Sequence, residues 1–264
     1  MLKRFLNIIV FVSIVCVQAQ ASWLNEPLRV NIQEVNKDKK TISFPAYDLK
    51  VGESGFVLVK LADYSAISAK LQIISIDNGV AVAEFSPFDR MKQKYLPTPR
   101  LEPKVGDMAV FRDLNNKAFL IAPDSTTYEK IKSQIKDTTF MSSDLLMGYL
   151  NDYGGFDPKP KFLRKACEVY SVGLLYVVAS NGINVLDCET LATLDTFAFD
   201  TSKVSKTSAP FFSRLEEVKT GSLASLFYSK KSKQYFQYYD ALVQNNQASP
   251  KEENPKKSRP KKEP

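Results

Sequence analysis

The first half of the chain alternates apolar and polar residues with the period of two that strands produce. Residues 28–32 and 41–44 show this alternation, and residues 55–59, 71–76 and 80–85 are rich in the β-branched and aromatic residues that favour strands. Between the last two, Asn78 and Gly79 accept the positive φ that a tight hairpin turn requires. Residues 28–122 are therefore predicted to form a compact β-barrel or a sandwich-like domain.

Two stretches of this region resemble each other. Residues 50–58 and 104–112 both begin with Lys-Val-Gly and an acidic residue, and both lead into a predicted strand. Turn chemistry that is common in small barrels accounts for the likeness better than a true duplication, which stays open as the alternative.

In the second half of the chain, the apolar residues recur with the spacing of a helix. Thr126 and Glu129 have the spacing of a capping box, which predicts a helix over residues 128–136. A second helix is expected over residues 143–154, where a Gly-Gly pair ends it, and a third over residues 162–172.

A hairpin and a last helix complete the predicted elements. Residues 174–179 and 183–186 form the hairpin, with Asn181 and Gly182 as its two-residue turn. Residues 211–243 favour a helix that is interrupted by a turn near residues 229–233. One face of this helix carries an apolar stripe, at Tyr228, Tyr235, Tyr239 and Leu242. A core-facing role explains the stripe better than a nucleic-acid stacking platform does, and the whole pattern indicates an α+β protein.

The N-terminus has the three parts of a secretory signal peptide. Lys3 and Arg4 precede an apolar run over residues 5–17, and residues 19–21 have the small-x-small pattern of a cleavage site. We therefore expect an exported protein whose mature chain begins at Ser22.

Two alternatives to cleavage are weaker. An uncleaved membrane anchor needs roughly 20 apolar residues, which is more than this run supplies. Lipidation at Cys16 is disfavoured because Val15, rather than a small residue, precedes that cysteine.

Removal of the leader leaves Cys167 and Cys188, and an even pair in an oxidising compartment favours a disulfide. With the predicted turn, Cys188 lies opposite Leu175, and Cys167 is eight residues earlier in the chain. A straight strand would hold the two cysteines too far apart. The pairing therefore requires the chain to fold back before Gly173, with Cys167 in a helix or loop.

Composition narrows the possible chemistry. The chain has 264 residues, of which 44% are apolar, and no histidine, which excludes Ser-His-Asp and Cys-His triads and His-ligated metal sites. Ser133 and Lys136 match a dyad spacing that a solvated helix face explains better, and the spacing of Asp144, Asp152 and Asp157 fits no calcium loop. We predict a protein that is not an enzyme, with no cofactor and no metal.

The net charge of +7 is unevenly distributed. Lys3 and Arg4 would leave with the leader, and residues 249–264 hold six basic residues against three acidic ones. The body is left nearly balanced, so no nucleic-acid partner is expected. Residues 245–264 contain four prolines and no aliphatic residue larger than alanine, and such a segment is expected to be disordered.

The tail is the candidate partner-binding segment. It presents cationic side chains at Lys256, Lys257, Arg259, Lys261 and Lys262. These groups suit anionic lipid, acidic glycans, or a protein pocket that recognises lysine, such as those of kringle domains. The alternative is a charged tail that only maintains solubility.

Three longer strings point to a family. Residues 140–150, 165–176 and 186–188, together with residues 50–55, resemble the plasminogen-binding surface proteins of Helicobacter and related bacteria, over about residues 22–200. The resemblance implies a non-enzymatic protein of the cell surface or outer membrane that captures host plasminogen through lysine. This chain departs from the pattern because it is shorter and ends in Pro264 rather than in lysine.

These observations predict four segments: a signal peptide over residues 1–21, a β-rich domain over 22–124, an α+β segment over 125–244, and a disordered tail over 245–264. The alternative function is a periplasmic structural or assembly protein of the cell envelope, in contact with an envelope protein, peptidoglycan or anionic lipid.

Overall fold

A computed structural model describes residues 22–88, 101–215 and 230–245. The predicted signal peptide and the predicted tail from residue 246 onwards lie outside the described residues, whereas Asn245 ends the last helix. The described chain contains two sheets and four α-helices, the last of which is C-terminal and packs on the second sheet. The predicted α+β class is confirmed.

Alternating side chains in the N-terminal half build the first sheet. Its strands are β1 (Leu28–Asn31), β2 (Glu34–Asn36), β3 (Thr41–Pro45), β4 (Ser54–Lys60), β5 (Ser65–Asp77), β6 (Val80–Pro87) and β7 (Met108–Phe111). They pair antiparallel in the order β1-β7-β4-β5-β6-β3-β2. The apolar face is buried, with Phe44, Val57 and Phe111 fully enclosed. As predicted, Asn78 and Gly79 have positive φ in the β5–β6 hairpin turn.

The sheet curls until the chain itself joins its two edges. The edge strands β1 and β2 are consecutive, separated only by Ile32 and Gln33. The Ile32 N–H donates to the Asp107 carbonyl on the β7 side, and the Gln33 N–H donates to the Ser43 carbonyl on the β3 side, both at 2.9 Å. This ring is called the barrel below.

The two similar sequence stretches occupy equivalent places in the barrel. In each, the lysine N–H donates to the acidic side chain three residues later, at 3.0 Å from Lys50 to Glu53 and 2.8 Å from Lys104 to Asp107. The strands that follow, β4 and β7, pair antiparallel with Phe56 opposite Val110. The two similar stretches, each a turn followed by a strand, are therefore related by a local two-fold axis.

The second sheet has strands β8 (Lys117–Ile121), β9 (Thr139–Met141), β10 (Leu174–Ala179), β11 (Gly182–Asp187) and β12 (Thr193–Phe197). The order is β12-β11-β10-β8-β9, and β8 runs parallel to both of its neighbours. Every residue of β10 and β11 is buried. Such continuously buried strands are typical of a sheet that is covered on both faces.

Helices cover both faces of this sheet. They are α1 (Ser125–Gln134), α2 (Ser143–Tyr149), α3 (Pro160–Tyr170) and α4 (Tyr235–Asn245), and a π-helical turn, Leu150–Gly154, extends α2. α1 packs on one face, while α2, α3 and α4 pack on the other. No helix among the described residues has the length and apolar character needed to cross a membrane.

The predicted capping box is wrong. The N-cap of α1 is Asp124, whose Oδ1 accepts the Thr127 N–H at 2.8 Å. The helix therefore begins three residues before the predicted start and ends at Gln134.

The predicted hairpin exists, but its register is shifted. Ala179 pairs with Gly182, so the turn residues are Ser180 and Asn181 rather than Asn181 and Gly182. Gly182 lies at the first position of β11 with φ of +124°, where a Cβ would collide with the Phe197 carbonyl. Asp240 of α4 fixes the turn by accepting the Ser180 N–H at 2.8 Å and its hydroxyl at 2.7 Å.

The predicted helix over residues 211–243 is only partly present. Tyr235, Tyr239 and Leu242 are buried on α4, which confirms their core-facing role, and Lys231–Lys233 forms the expected turn as one turn of 3-10 helix. The start of the range is not helical: the Phe212 N–H donates to the Ala122 carbonyl at 2.8 Å instead. Tyr228 lies outside the described residues.

Candidate functional site

The predicted site residues divide into two groups. Lys256, Lys257, Arg259, Lys261 and Lys262 lie outside the described residues, so their role in partner binding stays a prediction. Cys167 and Cys188 are described, and they are bonded to each other with a Cα–Cα distance of 5.9 Å.

The disulfide joins α3 to the end of β11. Cys167 lies in α3, and the chain folds back through Ser171, whose left-handed conformation ends the helix. The Cys188 N–H donates to the Gly173 carbonyl at 3.0 Å. The predicted fold-back before Gly173 is therefore confirmed, although the shifted hairpin register places Cys188 beside Gly173 rather than beside Leu175.

A buried ion pair lies where the barrel meets the second sheet. Arg112 follows β7, and its Nε donates to Glu53 Oε1 at 2.6 Å while both side chains are almost fully buried. Its Nη1 donates to Asp48 Oδ2 at 2.9 Å. Burial raises the pKa of the Glu53 carboxyl, and the hydrogen bond and charge of Arg112 act in the opposite direction.

Asp187, at the end of β11, connects the two sheets. Its Oδ2 accepts the N–H and the hydroxyl of Ser54 in β4, at 2.9 and 2.8 Å. Its Oδ1 accepts the N–H groups of Glu189 and Thr190, each at 2.9 Å. Burial raises the pKa of this carboxyl, and these hydrogen bonds oppose the increase. Glu53, Arg112 and Asp187 are together called the clasp.

Buried carboxyls with raised pKa values are a common sign of a catalytic site. In the clasp, however, their oxygens accept hydrogen bonds from groups of the fold. The adjacent cavity, lined by Ser54, Arg112 and Glu189 among others, has a volume of about 60 Å³, whereas small-molecule sites typically occupy roughly 300–1,000 Å³. The clasp therefore has the geometry of a structural joint between the two sheets.

A second charged region surrounds the turn before α4. Buried Asp157 accepts the Lys231 N–H at 3.2 Å and the Ser232 N–H and hydroxyl at 2.9 and 2.7 Å. Lys230, Lys231 and Lys233 are exposed around this buried anchor. They line a groove of about 700 Å³ with Gln234, Gln237, Tyr238 and Ala241, which is called the basic groove below.

The sequence drew attention to residues 229–233 only as an interruption of a helix. Three lysines within four positions were the available signal. The sequence did not predict that Asp157 accepts hydrogen bonds from this turn, because Asp157 lies more than seventy positions earlier in the chain.

Asp144 fixes the start of α2 to a distant segment. Its Oδ1 accepts the Ser213 hydroxyl and the Arg214 N–H, both at 2.7 Å, and its Oδ2 accepts Arg214 Nη2 at 2.7 Å. Burial acts to raise the pKa of Asp144, but these bonds and the Arg214 charge outweigh it and lower the pKa to about 2.

This lowered pKa predicts a pH-dependent contribution to stability. The contribution is complete above the unfolded-state pKa of about 3.9, and it is lost as the pH falls towards 2, the folded-state value. Urea denaturation of wild type and Asp144→Asn should therefore show a stability gap at neutral pH that closes between about pH 4 and pH 2. A gap that is constant across this range would contradict the assignment.

Candidate metal ligands do not converge anywhere in the described ranges. No group of three or more His, Cys, Asp or Glu residues there is arranged to hold a metal ion. Asp144 and Asp157 instead accept hydrogen bonds that fix helix starts and turns.

Fold and sites together define an α+β protein in which a curled antiparallel barrel is joined by a buried charged clasp to a disulfide-bonded sheet with helices on both faces. The family described as "Plasminogen-binding protein pgbA N-terminal" matches residues 27–243, and the chain belongs to this family.

Two curated relatives support the assignment. The chain is 52% identical over 240 residues to "Plasminogen-binding protein PgbA" of Helicobacter pylori strain J99, and 51% identical to the protein of the same name from strain 26695. Each match covers 91% of this chain and 52% of the relative, so the chain spans about half the length of these relatives. No solved structure matches the chain significantly.

Proposed function

We propose that this protein is an exported, non-enzymatic binding protein that captures plasminogen at the cell surface through lysine side chains. The observation that carries the proposal is the 52% identity, over 91% of this chain, to a protein named as plasminogen-binding. The matched region includes the whole described fold except its first five residues and its last two.

The clasp supports a binding role over a catalytic one. Its perturbed carboxyls are used in packing, and the cavity beside them is too small for an organic substrate. The fold then acts as a rigid platform for charged segments, because hydrogen bonds from Ser54 to Asp187 join the barrel to the second sheet and the disulfide ties α3 to the end of β11.

The lysine-bearing segment in this proposal is the tail, at Lys256, Lys257, Arg259, Lys261 and Lys262. A kringle pocket pairs a compact ammonium with acidic side chains, whereas arginine presents a planar guanidinium with a different hydrogen-bonding geometry. Lysine identity, and not only positive charge, is therefore expected to matter.

Deletion of residues 249–264 is expected to weaken plasminogen binding about tenfold, the equivalent of 1.4 kcal/mol. The matched variant replaces the four lysines at positions 256, 257, 261 and 262 with arginine, which preserves the charge. Solid-phase binding to plasminogen, with and without 6-aminohexanoic acid as a soluble lysine analogue, measures both variants.

The outcomes separate the parts of the proposal. Equal weakening in both variants, with competition by the analogue, supports lysine recognition. Wild-type binding by the deletion variant refutes the tail's role but preserves plasminogen binding, and absence of binding by wild type refutes the proposed function. Protease digestion of intact cells tests localisation: removal is expected, while resistance favours the periplasmic alternative.

A further inference from the structure

The basic groove is a concave surface lined by three lysines, and no structural role has been assigned to it above. Its volume of about 700 Å³ falls within the usual range for ligand sites, roughly 300–1,000 Å³. It is lined by Lys230, Lys231, Lys233, Gln234, Gln237, Tyr238 and Ala241, and none of these side chains is acidic.

Hydrogen bonds to the buried carboxylate of Asp157 hold the turn that carries the lysines. Ser232 is fully buried, and its hydroxyl and N–H both donate to buried Asp157. The Lys231 N–H donates to the same carboxylate, so Asp157 directs its oxygens towards the backbone of the turn. The ammonium of Lys230 lies 5.2 Å from the ring centre of Phe156. The groove is therefore preorganised, which reduces the entropy lost on binding.

The neutral groups of the groove suit a polyhydroxylated ligand. The amides of Gln234 and Gln237 offer both donors and acceptors. Tyr238 is half-buried; burial, followed by the nearby Asp157 charge, raises its pKa to about 12. Its hydroxyl can donate or accept a hydrogen bond, and its ring provides an apolar face.

We propose that the basic groove binds an acidic polysaccharide, a chain of sugars that carries sulfate or carboxylate groups. Lysine-rich clusters are a recognised sequence feature of such binding surfaces. The groove contains no arginine, the side chain best suited to bidentate phosphate recognition in nucleic acids. It also presents no strongly exposed large apolar side chain for insertion into a lipid surface.

This inference is independent of the plasminogen proposal. Its ligand is an anion that contacts the folded body, whereas the tail is proposed to offer lysine to a protein pocket. Loss of one binding activity therefore leaves the other intact.

The test measures the affinity of the full mature chain for a fluorescent, sulfated heparin hexasaccharide by anisotropy at physiological ionic strength. Lys231→Glu/Lys233→Glu is expected to bind roughly tenfold more weakly, because two attractive charges become repulsive. The control, Lys203→Glu/Lys206→Glu, changes the net charge equally at exposed positions away from the groove and should stay within about twofold of wild type.

A second variant separates groove recognition from general charge attraction. Gln234→Ala/Gln237→Ala leaves the charge unchanged and is expected to weaken hexasaccharide binding about threefold, consistent with the loss of one or two net hydrogen bonds. Thermal unfolding of every variant verifies the fold.

Three results would overturn the proposal. The first is an equal loss of hexasaccharide affinity in the groove variant Lys231→Glu/Lys233→Glu and in the control Lys203→Glu/Lys206→Glu. The second is wild-type affinity in Lys231→Glu/Lys233→Glu. The third is tighter groove-dependent binding to phosphatidylserine vesicles or to single-stranded DNA than to the hexasaccharide. Loss confined to the groove variants, with selectivity for the sulfated sugar, supports it.

Discussion

Arg112→Met is expected to lower the free energy of unfolding by about 3–5 kcal/mol, because it leaves the Glu53 carboxylate buried without its cationic partner. Arg112 supplies the 2.6 Å hydrogen bond to Glu53, and both side chains are at most 2% exposed. Urea denaturation followed by circular dichroism measures the change.

The pH dependence of this variant has a definite sign. Without Arg112, burial raises the folded-state pKa of Glu53 further above the unfolded value of about 4.3. The variant therefore loses stability as the pH rises from the unfolded pKa through the folded one, and its deficit should be larger at neutral pH than near pH 4.

Glu53→Gln in the Arg112→Met background is the matched control. The amide removes the buried charge while it preserves the shape, so the double variant should recover part of the lost stability. If Arg112→Met alone stays within about 0.5 kcal/mol of wild type, the buried Arg112–Glu53 pair does not stabilise the fold as proposed.

The second large effect concerns the disulfide. Cys167→Ser/Cys188→Ser is expected to lower the free energy of unfolding by about 3 kcal/mol, since the bond closes a loop with a sequence separation of 21 residues. Both cysteines are about 1% exposed, so the hydroxyls would also be buried in an apolar cluster, which adds to the loss.

Thiol titration of the denatured protein, with and without reductant, first establishes that the bond forms. Wild type that is denatured in the presence of dithiothreitol should then match the stability of the double serine variant. Equal stability of the oxidised protein and the double variant would contradict the expected contribution.

Local chemistry explains which elements were predictable. The Asn78-Gly79 turn follows from the conformational freedom of two adjacent residues, and the disulfide follows from strand geometry and the two cysteines left outside the predicted leader. The hairpin register was missed because it depends on contacts from elsewhere. Asp240 fixes Ser180 in the turn, and the Phe197 backbone passes too close to Gly182 for any side chain.

The helix errors have a similar origin. The capping box at Thr126 was predicted, but the structure places the N-cap at Asp124, another residue type that commonly caps helices. Residues 211–215 have apolar content that suits a helix, but Phe211 enters the core from a non-helical backbone. Tertiary packing outweighs the local pattern in both places.

The clasp and the basic groove could not be derived from spacing. Glu53 and Arg112 are 59 positions apart, and Ser54 and Asp187 are 133 positions apart. Charged residues so distant in the chain give no periodic signal: pairing of β4 with β7 places Glu53 beside Arg112, and the meeting of the two sheets brings Ser54 to Asp187. Partner binding by the tail was inferred from composition and stays a prediction.

The closure of the barrel through Ile32 and Gln33 also sets the order in which the chain can fold. The first strand pairs with residues 108–111, so the ring cannot be completed until almost the whole N-terminal half has been synthesised. Contacts this distant in sequence slow folding, since the entropy of closing a long loop is lost before the contacts form. The first strand of a newly made chain therefore has no partner strand until β7 has emerged.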